Sequence, residues 1–277
     1  MRFKAKVLQD KLLVFAGLIG ALEKIGAACI MYLTETKVQF AIQETGADEV
    51  QVFSELEQEM LFYEYRIESQ SNNCILFIAN ASLLLQALNS GRSAPTCQMK
   101  LAKRQGMPCL SVETRALEID VVHDIPIRVM KASDIQYHSP PEVQMPQIQL
   151  ELPRHRSLRT VIDRMKAIDK TVYVDADMGG QIVFRVEKTD ATIKTYYTNL
   201  TPRFESMDEQ QCRRNQASVK VDVKKLAAVL SVYSLRFDKA ICCIIGGYSL
   251  VLHVILLPVG VGTLTYYMPV MNAEGDF

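Results

Sequence analysis

Seven cysteines, four histidines and a few clustered carboxylates are the side chains of this 277-residue sequence that could do chemistry. Cys29, Cys74, Cys97, Cys109, Cys212, Cys242 and Cys243 are odd in number, show no C-x-x-C spacing and include one adjacent pair. A disulfide framework or a tetrahedral zinc site does not take that form, so a reducing compartment is the expectation. His123, His138, His155 and His253 are scattered, without the spacing of metal ligands. The nucleophile elbow, the glycine-rich phosphate loops and the H-E-x-x-H metal signature are all missing from the sequence. Asp175-Ala176-Asp177-Met178-Gly179-Gly180 resembles the start of a calcium loop, but Gly179 and Val186 stand where that loop needs oxygen ligands. A hairpin turn with glycine at positive φ is the expectation there. Glu55, Glu57 and Glu59 have no partner in view and read as a solvated strand end. No catalytic residue, cofactor or metal is expected. An α+β enzyme with an unrecognised site stays open as the alternative from another class.

Cations supply the positive signal. In residues 154–168, Leu158, Val161, Ile162, Met165 and Ile168 recur with helical period. Arg156, Arg159, Asp163, Lys166 and, just beyond, Lys170 fall on the other face, and four of these five are cationic. A short helix starting near Asp222 carries Lys224 and Lys225 away from its apolar stripe, and Lys11, Lys24 and Arg92 take comparable places at helix ends earlier in the chain. Solvated helix faces carry Lys and Arg routinely. This set is set apart by its restriction to helices expected on one side of the sheets, an arrangement suited to phosphate-backbone contact without base readout.

The elements that must position these cations recur in order. A strand at 2–7 precedes a helix containing Leu12, Phe15, Ile19, Leu22 and Ile25. Strand-like runs follow at 29–33, 37–42, 50–56, 62–67 and 75–79, then a short helix with Leu84, Leu85 and Leu88, then strands at 96–102, 109–114 and 118–125. Residues 130–146 hold Pro140, Pro141 and Pro146 with few periodic apolar positions, and read as an extended connector. The pattern then restarts with a strand at 147–152 and the helix at 154–168. Strands follow at 171–175, 181–186, 192–198 and 218–221, then a helix with Val223, Leu226, Ala227 and Leu230, then strands at 240–245, 248–256 and 262–270. Residues 199–216 read as a loop. The expected architecture is α+β: two similar domains, 1–129 and 147–277, each of antiparallel sheets with two helices on one face. A doubly wound nucleotide fold would alternate strand and helix singly and does not fit.

Composition limits the alternatives. The chain has 31 Lys and Arg against 31 Asp and Glu, and 49% hydrophobic residues, which is globular rather than disordered. The first residues lack the apolar core of a signal peptide. From Ala240 to Ala273 no residue is charged, a length that could cross a bilayer, but Gly246-Gly247 and Pro258-Val259-Gly260 break it into strand-sized pieces. Residues 1–150 carry 14 cations against 17 anions and the remainder 17 against 14, so the neutral total hides a basic second half.

Five strings then point to a family. Met1-Arg2-Phe3-Lys4-Ala5-Lys6-Val7, Ser54-Glu55-Leu56-Glu57-Gln58-Glu59 and Met107-Pro108-Cys109-Leu110-Ser111-Val112 resemble the Hus-one subunits of the DNA-damage checkpoint clamp. His123-Asp124-Ile125-Pro126-Ile127 and Tyr266-Tyr267-Met268-Pro269-Val270 are similar to that family too, so the likeness runs to about residue 270. The resemblance implies a sliding DNA clamp fold with helices lining a hole and sheets outside. It implies a non-catalytic, nuclear subunit of a heterotrimeric ring with Rad-nine-type and Rad-one-type partners. That ring encloses double-stranded DNA without sequence preference, is placed by a clamp loader, serves checkpoint and repair proteins, and has no membrane partner. On it, Lys11, Lys24, Arg92, Arg156, Arg159, Lys166, Lys170, Lys224 and Lys225 become DNA-facing candidates. Edge strands at 117–124 and 191–198 become subunit contacts, with Leu117, Ile119, Val121, Thr192, Lys194, Tyr196 and Tyr197 at the interface. A homotrimeric replication clamp is the nearer alternative.

Overall fold

A computed structural model describes every residue except 44, 45, 47, 93, 116–118, 156, 205–214, 259 and 272–277. Arg156, Leu117 and most of the 199–216 stretch therefore lie partly or wholly outside the described residues. Alternating apolar residues start the fold: β1 (Arg2–Leu8) buries Phe3, Ala5 and Val7 and leaves Lys4 in solvent. It runs straight into α1 (Gln9–Glu23), followed by β2 (Ala28–Leu33), β3 (Lys37–Gln43), β4 (Gln51–Glu57), a one-turn α2 (Gln58–Leu61) and β5 (Glu64–Glu68). β6 (Ile75–Asn80), α3 (Ala81–Ser90), β7 (Thr96–Arg104), β8 (Met107–Arg115) and β9 (Asp120–Met130) complete the first half. The second half holds β10 (Ile148–Glu151), α4 (Ser157–Met165), β11 (Thr171–Asp177), β12 (Gln181–Lys188), β13 (Ala191–Tyr197) and a two-residue β14 (Thr201–Pro202). β15 (Gln216–Asp222), α5 (Val223–Val229), a 3-10 helix (Leu230–Ser234), β16 (Phe237–Ile245), β17 (Ser249–Leu256) and β18 (Gly262–Pro269) close it.

The internal repeat holds strand by strand. Hydrogen bonding orders the first half as β5-β1-β7-β8-β9 and β4-β3-β2-β6, and the second as β14-β10-β16-β17-β18 and β13-β12-β11-β15. All the pairings among the described residues are antiparallel. Helix starts repeat as well: Asn80 Oδ1 accepts from Leu83 N–H at 3.0 Å, and Asp222 Oδ1 accepts from Lys224 and Lys225 N–H at 2.7 and 3.0 Å. Each is the last residue of a strand and satisfies the orphan amides of the helix that follows. The turn at 177–181 is the expected β11–β12 hairpin, with Gly180 at φ 97°.

One extra pairing joins the halves. β18 lies beside β4 from Gly262 opposite Leu56 to Tyr267 opposite Gln51, and within the first half β6 pairs with the end of β9 from Leu76 opposite Met130 to Ala79 opposite Ile127, so one fourteen-stranded sheet crosses the boundary. The uncharged stretch 240–271 is spent in this sheet as β16 to β18, with Ala240, Cys242, Ile244, Leu252, Val254, Leu264 and Tyr266 buried. Among the described residues no helix is long and apolar enough to cross a membrane.

The connector departs from the expected extended chain. β9 runs on through Met130, and Ala132–His138 forms a 3-10 helix; only the residues after it lack regular structure until β10. Ile135 of this helix packs on Ile30, Ala41, Phe53 and Leu76, a small apolar patch on the sheet face away from the main core. Proline and polar residues signalled an irregular segment, but one isoleucine with an apolar surface to cover is enough to order a turn. The structure also adds β14 inside what read as a loop, where Leu150 and Glu151 of β10 pair with Pro202 and Thr201.

Candidate nucleic-acid interface

Apolar side chains set the helices into one layer. α1 buries Leu12, Phe15, Ala16, Leu18, Ile19, Ala21 and Leu22, a wider face than a single stripe. The width reflects neighbours on both flanks: α3 packs on α1 on one side and the 3-10 helix at 230–234 on the other. That 3-10 helix touches α4 and α5 in turn, which also touch each other. Gly17 permits the crossing, since a Cβ there would sit 2.7 Å from Leu235 Cδ2. The helices of both halves therefore share a single surface.

Charge is unevenly spread over it. α4 buries Leu158, Ile162 and Met165, leaving Arg159, Asp163, Arg164 and Lys166 on the opposite side. Asp163 sits 3.8 Å from Arg159 and 3.7 Å from Lys166, so the two cations share one counter-charge across exposed groups. Lys170 and Lys224 are exposed. Lys225 is placed differently: its ammonium reaches the Asp48 carbonyl oxygen and stands 3.4 Å from Glu49, tying α5 to the loop before β4. In the first half, Lys11 Nζ donates to the Glu59 carbonyl at 3.1 Å and Lys24 pairs with Glu23 at 3.1 Å. Arg92 is exposed, and its carbonyl accepts from Gln9 Nε2 at 3.0 Å. The outward residues of α3 are neutral (Ser82, Leu83, Gln86 and Asn89 among them). Two further cations belong to this layer: Arg164, legible from the same helical period as Arg159, and Arg236, which only the 3-10 helix packing brings beside α1 around a cavity of about 370 Å³.

Two strand edges stand apart. From Asp120 to Pro126, β9 pairs with β8 on one side, and β13 pairs with β12 alone. Among the described residues neither stretch has a second strand partner. Both expose apolar side chains: Ile119 is 65% accessible, Val122 50%, Ile193 41% and Tyr196 57%. Thr192 and Lys194 are exposed too, while Val121 is half-buried. Tyr197 turns inward, edge-on to Phe184 at 6.0 Å, and burial pushes its hydroxyl pKa up. Alternation along β13 thus separates the two tyrosines, with only Tyr196 pointing outward.

The outer sheet faces of the two halves have diverged. Cross-strand register aligns Ile78, Ile30, Ala41 and Phe53 in one row of the first half. The corresponding row of the second half is Lys220, Tyr173, Arg185 and Lys194. Arg185 stacks 4.3 Å from the Tyr173 ring and pairs with Asp175 at 2.8 and 3.2 Å, so this row is polar and ion-paired, mostly half-buried, with Lys194 exposed. The apolar row instead floors a groove under the connector, with a cavity of about 320 Å³. Glu55, His138, Ser139 and Pro140 stand at this groove. The Lys37 ammonium holds the Glu55 carboxyl below the usual carboxylate range, with help from Gln39 Nε2 at 2.7 Å and against the effect of burial. Tyr32, on the same wall, has its pKa raised to about 12 by burial and then by its hydrogen bond with Cys74. His138 Nδ1 lies 2.6 Å from Gln43 Oε1, fixing the end of the 3-10 helix to β3.

Known proteins match this chain over nearly all of its length. The sequence profile of the Hus1-like protein family matches residues 1–272. The checkpoint protein hus1 homolog of Dictyostelium discoideum is 31% identical over 276 residues, covering 98% of this chain and 99% of that protein. The human checkpoint protein HUS1 is 27% identical over 284 residues, covering 98% and 100%. Among solved structures, the proliferating cellular nuclear antigen of Entamoeba histolytica superposes with a TM-score of 0.74 at 12% identity, covering 98% of this chain and 99% of that one. The corresponding protein of Thermococcus kodakaraensis gives 0.70 at 18% identity, covering 97% and 100%. The chain therefore belongs to the Hus1-like family of checkpoint proteins and has the fold of a sliding clamp.

Proposed function

We propose that the chain is one non-catalytic subunit of a three-membered nuclear ring that encloses double-stranded DNA and offers its outer face to checkpoint and repair proteins. In this reading residues 1–129 and 147–277 are the two clamp domains, joined by the connector at 130–146. The β4–β18 junction carries the reading. It joins one half to the next by adding a strand to a sheet edge, and it leaves the Asp120–Pro126 stretch of β9 and one edge of β13, the repeat-equivalents of β18 and β4, free to do the same with neighbours. Edge pairing supplies main-chain hydrogen bonds and removes two exposed edges at once. Ile119, Val122, Ile193 and Tyr196 would leave water at these contacts. The helix layer then faces inward, with Arg159, Arg164, Lys166, Lys170 and Lys224 opposite the phosphates. The groove over Ile30, Ala41 and Phe53 is the site for apolar peptide segments of partners.

Co-expression with the Rad-nine-type and Rad-one-type subunits, followed by size-exclusion chromatography and imaging, tests the proposal. A ring holding one copy of each is the expected result. A uniform trimer of this chain would instead support the homotrimeric replication clamp, and a chain that stays monomeric beside both partners would remove the ring altogether.

A further inference from the structure

Serine or threonine precedes proline twice in the sequence, at Ser139-Pro140 and Thr201-Pro202. Thr201 lies in β14 with its backbone paired to Glu151 of β10. Ser139 is exposed, has extended backbone at φ −84° and ψ 155°, and opens the part of the connector without regular structure. Protein kinases take their substrates as extended chain, and a following proline, with fixed φ and no N–H, favours that form. We propose that Ser139 is a phosphorylation site for a proline-directed protein kinase, and that its modification releases the connector helix. Ser139 Oγ attacks the γ-phosphorus of ATP, the new O–P bond forms as the bond to the departing ADP breaks, and the hydroxyl proton passes to the kinase carboxylate.

The surroundings of Ser139 decide the consequence. Its hydroxyl donates to the Ile135 carbonyl at 3.2 Å and so closes the last turn of the 3-10 helix. A phosphoserine loses that donor and sets about 1.5 to 2 negative charges against a helix C-terminus, where negative charge is disfavoured. The cavity wall beside it carries Glu55 and, among the described residues, holds no Lys or Arg that could compensate. Lys37 is already paired to Glu55, and the His138 ring to Gln43. Loss of the turn lifts Ile135 from Ile30, Ala41, Phe53 and Leu76 and uncovers the apolar patch. The effect on partner peptides rests on the groove assignment above; the modification and the release do not.

The full chain, alone and in the assembled ring, is treated with a proline-directed kinase and ATP, and the phosphate is located by mass spectrometry. Phosphate is expected on Ser139 and on neither Thr201 nor the Ser139→Ala variant. Amide hydrogen exchange over residues 132–138 should rise at least tenfold in the phosphorylated chain. Ser139→Ala, which removes the hydroxyl without adding charge, should raise it by less. Absence of phosphate from Ser139 under conditions that fully modify a Ser-Pro reference substrate would overturn the site. Phosphate on Ser139 with unchanged exchange would overturn the release. Both readouts are made on the chain itself, so neither depends on whether the ring forms.

Discussion

Asn80 and Asp222 show how far single side chains carry the repeat. Each ends a strand and caps the helix behind it, so Asn80→Ala and Asp222→Ala should each cost about 1 kcal/mol, read from urea midpoints at constant m. Tyr266 is a different case. Its ring is fully buried, and among the described residues its hydroxyl has no hydrogen-bond partner. Tyr266→Phe removes an unpaired polar group at nearly constant shape and should raise stability by on the order of 1 kcal/mol. A fall of that size in calorimetry would show that the hydroxyl is satisfied after all. Glu55 adds a pH dependence, since its carboxyl is held low in the folded chain, first by Lys37. A group lowered in this way stabilises the fold above its unfolded pKa, near about 4.3, and loses that contribution as pH falls through the folded value. Lys37→Met should therefore flatten the acid limb of the stability curve, and only slightly, because both partners are partly exposed and solvent screens the pair.

At the scale of elements, the β4–β18 junction depends on one backbone position. Gly262 has φ 155°, and a Cβ there would overlap the Glu55 carbonyl oxygen and lie 2.9 Å from Leu56 Cα. Any side chain must part the two strands. Gly262→Ala should cost about 2 kcal/mol or more, with amide exchange accelerated in β4 and β18 and unchanged in β11, β12 and β15. Uniform acceleration across the chain would mean the junction is not a separable unit. Ser54 Oγ, which donates to the Thr263 carbonyl at 3.0 Å, and Lys225, beside Glu49, support the same seam from either side.

For the whole molecule, the balance of 31 cations and 31 anions conceals a directional charge. The exposed cations of the helix layer gather on α4, α5 and the residues next to them, while the first-half helices present mostly neutral side chains. Reversal of Arg159, Lys166 and Lys224 to Glu should weaken DNA retention of the assembled ring by tenfold or more. It should also flatten its salt dependence, by close to one unit of slope for each phosphate no longer neutralised. Reversal of Lys11 and Arg92 should do much less. Equal losses from both sets in a filter-retention series would remove the asymmetry.

The sequence by itself determined the strands, the helices and their repetition, because each element buries one face and its apolar period is local information. Phe3, Ala5 and Val7 show this in a strand, and Leu158, Ile162 and Met165 in a helix. The helix-borne cations followed from the same period, which also places Arg164, absent from the sequence-based candidates, on the outer face of α4. Tertiary structure decided what no period encodes. It chose the edges that pair, joining β18 to β4 and leaving Asp120–Pro126 of β9 and the outer edge of β13 open, because strand pairing links residues two hundred positions apart. It set Lys225 against Glu49, turned Tyr197 to the core, and ordered the connector over Ile30 and Phe53. Those outcomes depend on which surfaces meet in space, and a one-dimensional pattern carries the faces but not their partners.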